Sequence, residues 1–245
     1  MSADSLLSVR GLDAAVEGFQ VTEDVDLDVA AGEAVGLVGR NGAGKTTTFR
    51  GVMGLADLFA GSVRFKGEEL TELRPEVVPM RGIGYQPEDR KLFTGMTVEE
   101  NFRLPIWSVG DARGLDDEDA IVEEVFDVLD ELDDRRDALV ENLSGGQAKM
   151  VAIGRALALQ PDLLILDEPL EGLAPIVVEN LKGYIEEIND QGIAVLIAES
   201  NVTHVPDIVD QLYVIERGEV VDSGPPDEVV EKPDVQRLMQ GSGVE

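Results

Sequence analysis

Nine residues constrain this chain more than any others: Gly39, Arg40, Asn41, Gly42, Ala43, Gly44, Lys45, Thr46 and Thr47. They fit G-x-x-x-x-G-K-[ST], the pattern of a phosphate-binding loop. Residues 33–38 before them read as a short buried strand, and the stretch after them, to about Leu55, reads as a helix. Strand, glycine loop and helix in that order are the context the pattern requires. The glycines let consecutive N–H groups curl around a phosphate with no Cβ in the way. The helix then turns its positive dipole end toward the same anion. Lys45 is expected to reach the β- and γ-phosphates of a nucleotide, and the Thr46 hydroxyl to sit on Mg²⁺.

With 245 residues, 43% of them hydrophobic, the chain can bury one domain-sized core or a core with an inserted lobe. No run approaches the eighteen or so apolar residues of a membrane span. The start, Met1-Ser2-Ala3-Asp4-Ser5, is acidic and polar, unlike a secretory signal. Absence of cysteine excludes disulfides, thiol nucleophiles and thiolate metal sites. Fifty acidic residues against twenty basic ones give a net charge of −30, which argues against a nucleic-acid partner. The acids are spread through patterned segments such as 115–137 rather than gathered in a tail. That reads as a salt-adapted surface, and a halophilic source is the expectation: the fold should be lost at low salt.

In chain order, 6–12 reads as a strand, and 24–30 alternates acid and apolar residue as a half-buried strand does. Further strands are expected at 61–67 and 83–85. Helical patches at 97–103 and 117–132 follow, separated by a surface loop at 110–114. Residues 163–168 form an apolar run ending in Asp167-Glu168, and 193–198 a second such run, as central parallel strands do. Helices are expected at 175–190 and 202–209, with Pro206 interrupting the latter, then a hairpin over 212–222 and short helices to the end. Residues 87–158, approximately, read as a helical lobe inserted in an α/β core with a mixed sheet and an antiparallel β edge.

Three further stretches lie in a telling order: Leu143-Ser144-Gly145-Gly146-Gln147 before a helix, the apolar strand ending Asp167-Glu168, and Gln86 after a strand between them and the glycine loop. With these the chain resembles, over nearly its whole length, the ATP-binding subunit of an ABC transporter, built on the P-loop NTPase fold. Pro87-Glu88-Asp89-Arg90 through Met96-Thr97-Val98-Glu99-Glu100-Asn101, Glu168-Pro169-Leu170-Glu171-Gly172-Leu173-Ala174-Pro175 and Ala198-Glu199-Ser200-Asn201 are similar to segments of the branched-chain amino-acid group, LivF-type subunits in particular.

The resemblance implies ATP hydrolysis with Mg²⁺, coupled to uptake of branched-chain amino acids. Glu168 would be the general base, Asp167, Gln86 and Thr46 the metal's holders, and Lys45 a phosphate contact. Ser144, Gly145, Gly146 and Gln147 would meet the γ-phosphate bound to a second ABC ATPase subunit, in a homo- or heterodimer. Permease subunits and, indirectly, a solute-binding protein complete the implied assembly, on the cytoplasmic face of the plasma membrane. A permease helix would dock near residues 86–93. Importers of urea or short amides, or a soluble non-transport ABC ATPase, are the alternatives.

Three positions depart from the family pattern. The switch histidine is replaced at about Ser200, and the lone His204 reads as an ordinary helix-surface residue rather than a displaced switch. The usual loop aspartate after Glu168 is Ala174. The aromatic that stacks on adenine would fall at Val16, with Phe19 a possible substitute.

Overall fold

In a computed structural model, the described residues are 5–240. The acidic start at 1–4 and the last five residues of the tail lie outside them. The elements run β1 (Ser5–Val16), β2 (Phe19–Ala30), β3 (Ala34–Val38), α1 (Lys45–Val52), β4 (Asp57–Phe65), β5 (Glu68–Glu69) and β6 (Ile83–Gln86). Helices α2 (Val98–Arg113), α3 (Glu118–Val128) and α4 (Gly145–Leu157) follow. Then come β7 (Leu163–Asp167), α5 (Pro175–Asp190), β8 (Ala194–Glu199), β9 (Gln211–Glu216), β10 (Glu219–Gly224), α6 (Pro226–Val230) and α7 (Pro233–Gln240).

Two sheets divide these strands. A small antiparallel sheet has the order β2-β1-β4-β5, and a six-stranded mixed sheet the order β10-β9-β3-β8-β7-β6. In the larger sheet β3, β6, β7, β8 and β9 are parallel and β10 returns antiparallel. The small sheet shows why an acid-rich strand forms at all. Val25, Leu27 and Val29 of β2 are buried while Asp24, Asp26 and Ala30 are exposed, the period-2 pattern of a strand with one wet face.

β7 is apolar throughout because it is covered on both faces. Leu163 and Ile165 join the core that holds α1 and the small sheet, whereas Leu164 and Leu166 join the core that holds α2 to α5. The helical lobe rests on Phe102 of α2 against Phe126 of α3, their ring centroids 5.0 Å apart. Ile121, Val122, Val125, Phe126, Val128, Leu129 and Leu132 are all buried, as their spacing predicts.

Several boundaries differ from the sequence expectation. α1 stops at Val52, short of Leu55. α2 continues to Arg113 through Pro105, so the expected loop at 110–114 is mostly helix. Phe102 and Ile106 on either side of the proline are buried in the lobe core, and that packing outweighs the lost hydrogen bond. The expected helix at 202–209 is instead two single 3₁₀ turns, Val202–His204 and Pro206–Ile208, because Pro206 has no N–H with which to continue.

Candidate functional site

The site forms where the carboxyl ends of β3, β7 and β8 meet the start of α1, the edge at which open α/β sheets bind ligands. β3 ends in the glycine loop. Gly39 is obligatory there: a Cβ would lie 2.3 Å from the Ile215 carbonyl oxygen. Gly44, at φ +115°, turns the chain into α1 in a conformation that side chains rarely adopt. Among the described residues no side chain caps α1, which leaves its first N–H groups available to an anion. A cleft of about 210 Å³ opens over this end, lined by Asn41, Gly42, Gly44, Lys45, Thr46 and Thr47 with Val21, Glu88 and Glu168.

Lys45 is 4% exposed. Its ammonium donates to the Gly39 carbonyl at 2.6 Å and to that of Arg40 at 3.2 Å, and pairs with Glu168 Oε1 at 3.0 Å. A bound phosphate would compete with Glu168 for the same cation. Asp167, fully buried, accepts from the Thr46 hydroxyl at 3.1 Å and from Tyr85 OH at 3.3 Å. Burial pushes its carboxyl up to about 6, against the lowering effect of the Thr46 hydrogen bond. Burial beside Asp167 likewise raises the Tyr85 phenol. Gln86 donates to the Pro87 carbonyl and to the Asp167 carbonyl at 3.4 Å, while its Oε1 is buried without a partner. A hydroxyl and a carboxylate with an unfavourable buried charge therefore meet at the start of α1, while Gln86, fully buried, lies behind them against the Asp167 main chain and lines neither this cleft nor its neighbour. These oxygen donors fit Mg²⁺, which takes few protein ligands and completes its shell with phosphates and water.

Glu168 stands one residue past β7 with φ +50°, a left-handed backbone in a residue with a side chain. Such a conformation costs on the order of 1–3 kcal/mol and persists where surrounding contacts over-determine it. Four contacts do so: Lys45 on Oε1, the Ser200 N–H on Oε2 at 2.9 Å, its own N–H on the Ala198 carbonyl at 3.0 Å, and the Lys149 ammonium on its carbonyl. Ser200 thus meets Glu168 through its backbone. His204 lies outside the cleft's lining, with Nε2 3.0 Å from Asn201 Nδ2; burial lowers its pKa.

Ser144 and Gly145 are exposed and contribute nothing to the lining of the Lys45 cleft. Ser144 caps α4 in a reciprocal box with Gln147, Oγ accepting from the Gln147 N–H at 3.2 Å and Gln147 Oε1 accepting from the Ser144 N–H at 3.1 Å. Gly146 fits closely, since a Cβ would sit 2.7 Å from Val177. Val16 is half-buried at the end of β1; the cleft is lined by Val21 rather than by Val16. Phe19, opposite Val16 across the hairpin, is 78% exposed. Lys149, Glu199 and Tyr85 entered the sequence reading only as parts of longer segments. The lone lysine within the apolar run 148–153 was the one available signal.

A second cleft, about 570 Å³, lies between α1 and the lobe, lined in part by Arg50, Leu55, Tyr85, Pro87, Lys91 and Arg155. Arg155 donates to the carbonyls of Arg90 and Lys91, so α4 holds that rim.

The pattern of the ABC transporter family matches residues 22–171. This chain belongs to the ABC transporter family. It is an ABC ATP-binding cassette, an ATPase subunit of a transporter. The lipopolysaccharide export system ATP-binding protein LptB of Escherichia coli K12 is 34% identical, over 96% of this chain and 97% of its own. The high-affinity branched-chain amino acid transport ATP-binding protein BraG of Pseudomonas aeruginosa is 36% identical, over 83% and 85%. Among solved structures, the ADP conformation of MJ1267, an ATP-binding cassette of an ABC transporter, superposes with a TM-score of 0.81 at 28% identity, covering 97% of this chain and 99% of that one. The cassette cbiO1 of Clostridium perfringens, part of the transporter complex cbiONQ, gives 0.76 at 27%, covering 96% and 94%. Among the described residues no helix of this cassette is long and apolar enough to cross a membrane.

Proposed function

We propose that this cassette binds and hydrolyses Mg-ATP to drive an importer of branched-chain or related amino acids. The observation that carries the substrate class is the segment Pro87–Asn101 with Glu168–Pro175, similar to the branched-chain group, together with the likeness to BraG. LptB is equally similar, over more of this chain, and its export system supplies the second reading.

In the mechanism, the glycine loop and the start of α1 hold the phosphates, and Lys45 moves from Glu168 to the γ-phosphate side. Thr46, Asp167 and Gln86 would hold Mg²⁺, which would supply neutralisation of charge on the phosphate oxygens. Glu168, held by the Ser200 N–H, orients and polarises the water that attacks the γ-phosphate. A facing subunit brings its own serine-glycine loop to that phosphate, as Ser144 and its neighbours do in return. A permease helix docks near residues 86–93, between the core and the lobe, and holds the cassette at the cytoplasmic face of the membrane; membership of the similar cbiO1 cassette in the transporter complex cbiONQ supports an assembly of this kind. The lobe over residues 87–158 is the unit that moves with it.

The test is uptake. Cells deleted for this chain should lose accumulation of labelled leucine, isoleucine and valine and regain it with the intact gene. Undiminished uptake with altered envelope lipid would overturn import in favour of export.

A further inference from the structure

We propose that Lys149 and Glu199 are positioning residues for hydrolysis: they clamp the main chain that leaves Glu168, at the Glu168 carbonyl and the Leu170 N–H, and tie it to α4, the helix that Ser144 caps. The inference rests on Glu168 being the residue that polarises water.

The backbone at Glu168 is left-handed, and two buried side chains hold the turn that follows it. The Lys149 ammonium donates to the Glu168 carbonyl oxygen. Glu199 Oε1 accepts the N–H of Leu170, two residues on, at 2.7 Å. Lys149 is 3% exposed and Glu199 fully buried. The Glu199, Glu171 and Glu168 carboxylates attract Lys149, yet the cost of burying it outweighs that attraction, so it is a poor source of stability. The same holds for Glu199, whose second oxygen is buried without a donor. Burial disfavours both charged forms, raising the Glu199 carboxyl and lowering Lys149. Groups that cost stability in a site yet hold one backbone turn are explained by what the turn carries. Here it carries the Glu168 carboxylate, whose aim decides whether water is presented in line.

The clamp also has a direction. Lys149 lies five residues along α4 from Ser144, about 7.5 Å of rigid helix. A displacement at the serine-glycine end is therefore transmitted to the Glu168 carbonyl. β8 holds the other side twice, through Glu199 on Leu170 and through the Ser200 N–H on Glu168 Oε2. The loop that meets a facing subunit is thus mechanically connected to the residue that attacks through water.

The test compares Lys149→Met with Lys149→Arg, and Glu199→Ala with Glu199→Gln, in the full chain purified with its bound subunits. Turnover, Mg-ATP affinity and melting temperature are read for each. Lys149→Met should keep or raise the melting temperature and keep its affinity for Mg-ATP, while kcat falls about 10- to 100-fold. Lys149→Arg, which retains a donor, should recover most of that loss. Wild-type kcat in Lys149→Met overturns the clamp, and so does a loss of affinity that matches the loss of kcat. If Lys149→Met does not fold, the Glu199 pair decides. Glu199→Gln keeps an oxygen for the Leu170 N–H and should turn over faster than Glu199→Ala; equal rates overturn the clamp. Glu168→Gln is measured alongside. Wild-type turnover there removes the role of Glu168 and the clamp with it, whereas an inactive Glu168→Gln beside an unimpaired Lys149→Met removes the clamp alone.

Discussion

Glu168 and Lys45 are 3.0 Å apart and both buried, so each is the other's charge partner. Substitutions at the two have different consequences. Glu168→Gln should retain Mg-ATP binding and lose roughly 10²–10⁴ in turnover, the span of a general base. Steady-state ATPase assays and nucleotide titration check both halves. Lys45→Ala should lose nucleotide binding itself, because it removes the cation while leaving the Glu168 carboxylate facing the phosphates. Asp167 gives a pH signature. Burial raises its folded pKa to about 6, above that of the unfolded chain, so the folded state holds the proton more tightly. The contribution to stability is present at low pH and is lost as pH rises from about 4 through 6. In Mg²⁺-free buffer Asp167→Asn should therefore be more stable than the native chain at pH 7.5 by about 2 kcal/mol, with the advantage gone near pH 4. Denaturant titrations at the two pH values measure it. Residue-scale chemistry was only partly legible in the sequence. The run Gly39–Thr47 announces a phosphate cradle because a strand, glycines and a helix must be contiguous. Lys149, Glu168 and Glu199 lie far apart in the chain, and only the pairing of β7 with β8 brings two of them together.

At the scale of elements, α4 has two jobs. Its N-terminus is capped by Ser144 and Gln147, Lys149 one turn on holds the Glu168 carbonyl, and Arg155 in its last turn holds the Arg90–Lys91 rim. Ser144→Arg should leave nucleotide binding in the isolated chain intact and abolish ATP-driven association of subunits, read by light scattering in high salt. Unchanged association would contradict the composite site. Element types were the most readable feature of this chain. α5 runs over Pro175–Asp190, with Pro175 at its first turn and Val178, Leu181, Ile185 and Ile188 as its buried stripe. The errors came where local rules compete with packing. α2 passes through Pro105 between the buried Phe102 and Ile106, whereas at Pro206 the missing N–H leaves two single turns although Val205 and Ile208 are buried as well. β1 and β2 change register near their hairpin tip, and Val21 lines the Lys45 cleft while Val16 does not.

For the whole molecule, a net charge of −30 is a repulsive load that the fold carries at every salt concentration. Screening shortens from about 10 Å at 0.1 M salt to about 3 Å at 1 M. The melting temperature should accordingly climb steeply between dilute buffer and molar KCl, as a salt-adapted surface requires; a flat profile in a thermal scan would remove the halophile reading. If this cassette turns ATP hydrolysis into transport through subunits it does not contain, those subunits should come with it. Purification of the chain from native membranes in high salt, with every bound subunit identified by mass, decides this. Multi-span permease proteins and a second cassette are expected in the complex. Recovery of the chain alone, entirely in the soluble fraction, would contradict the transport assembly while leaving the ATPase in place.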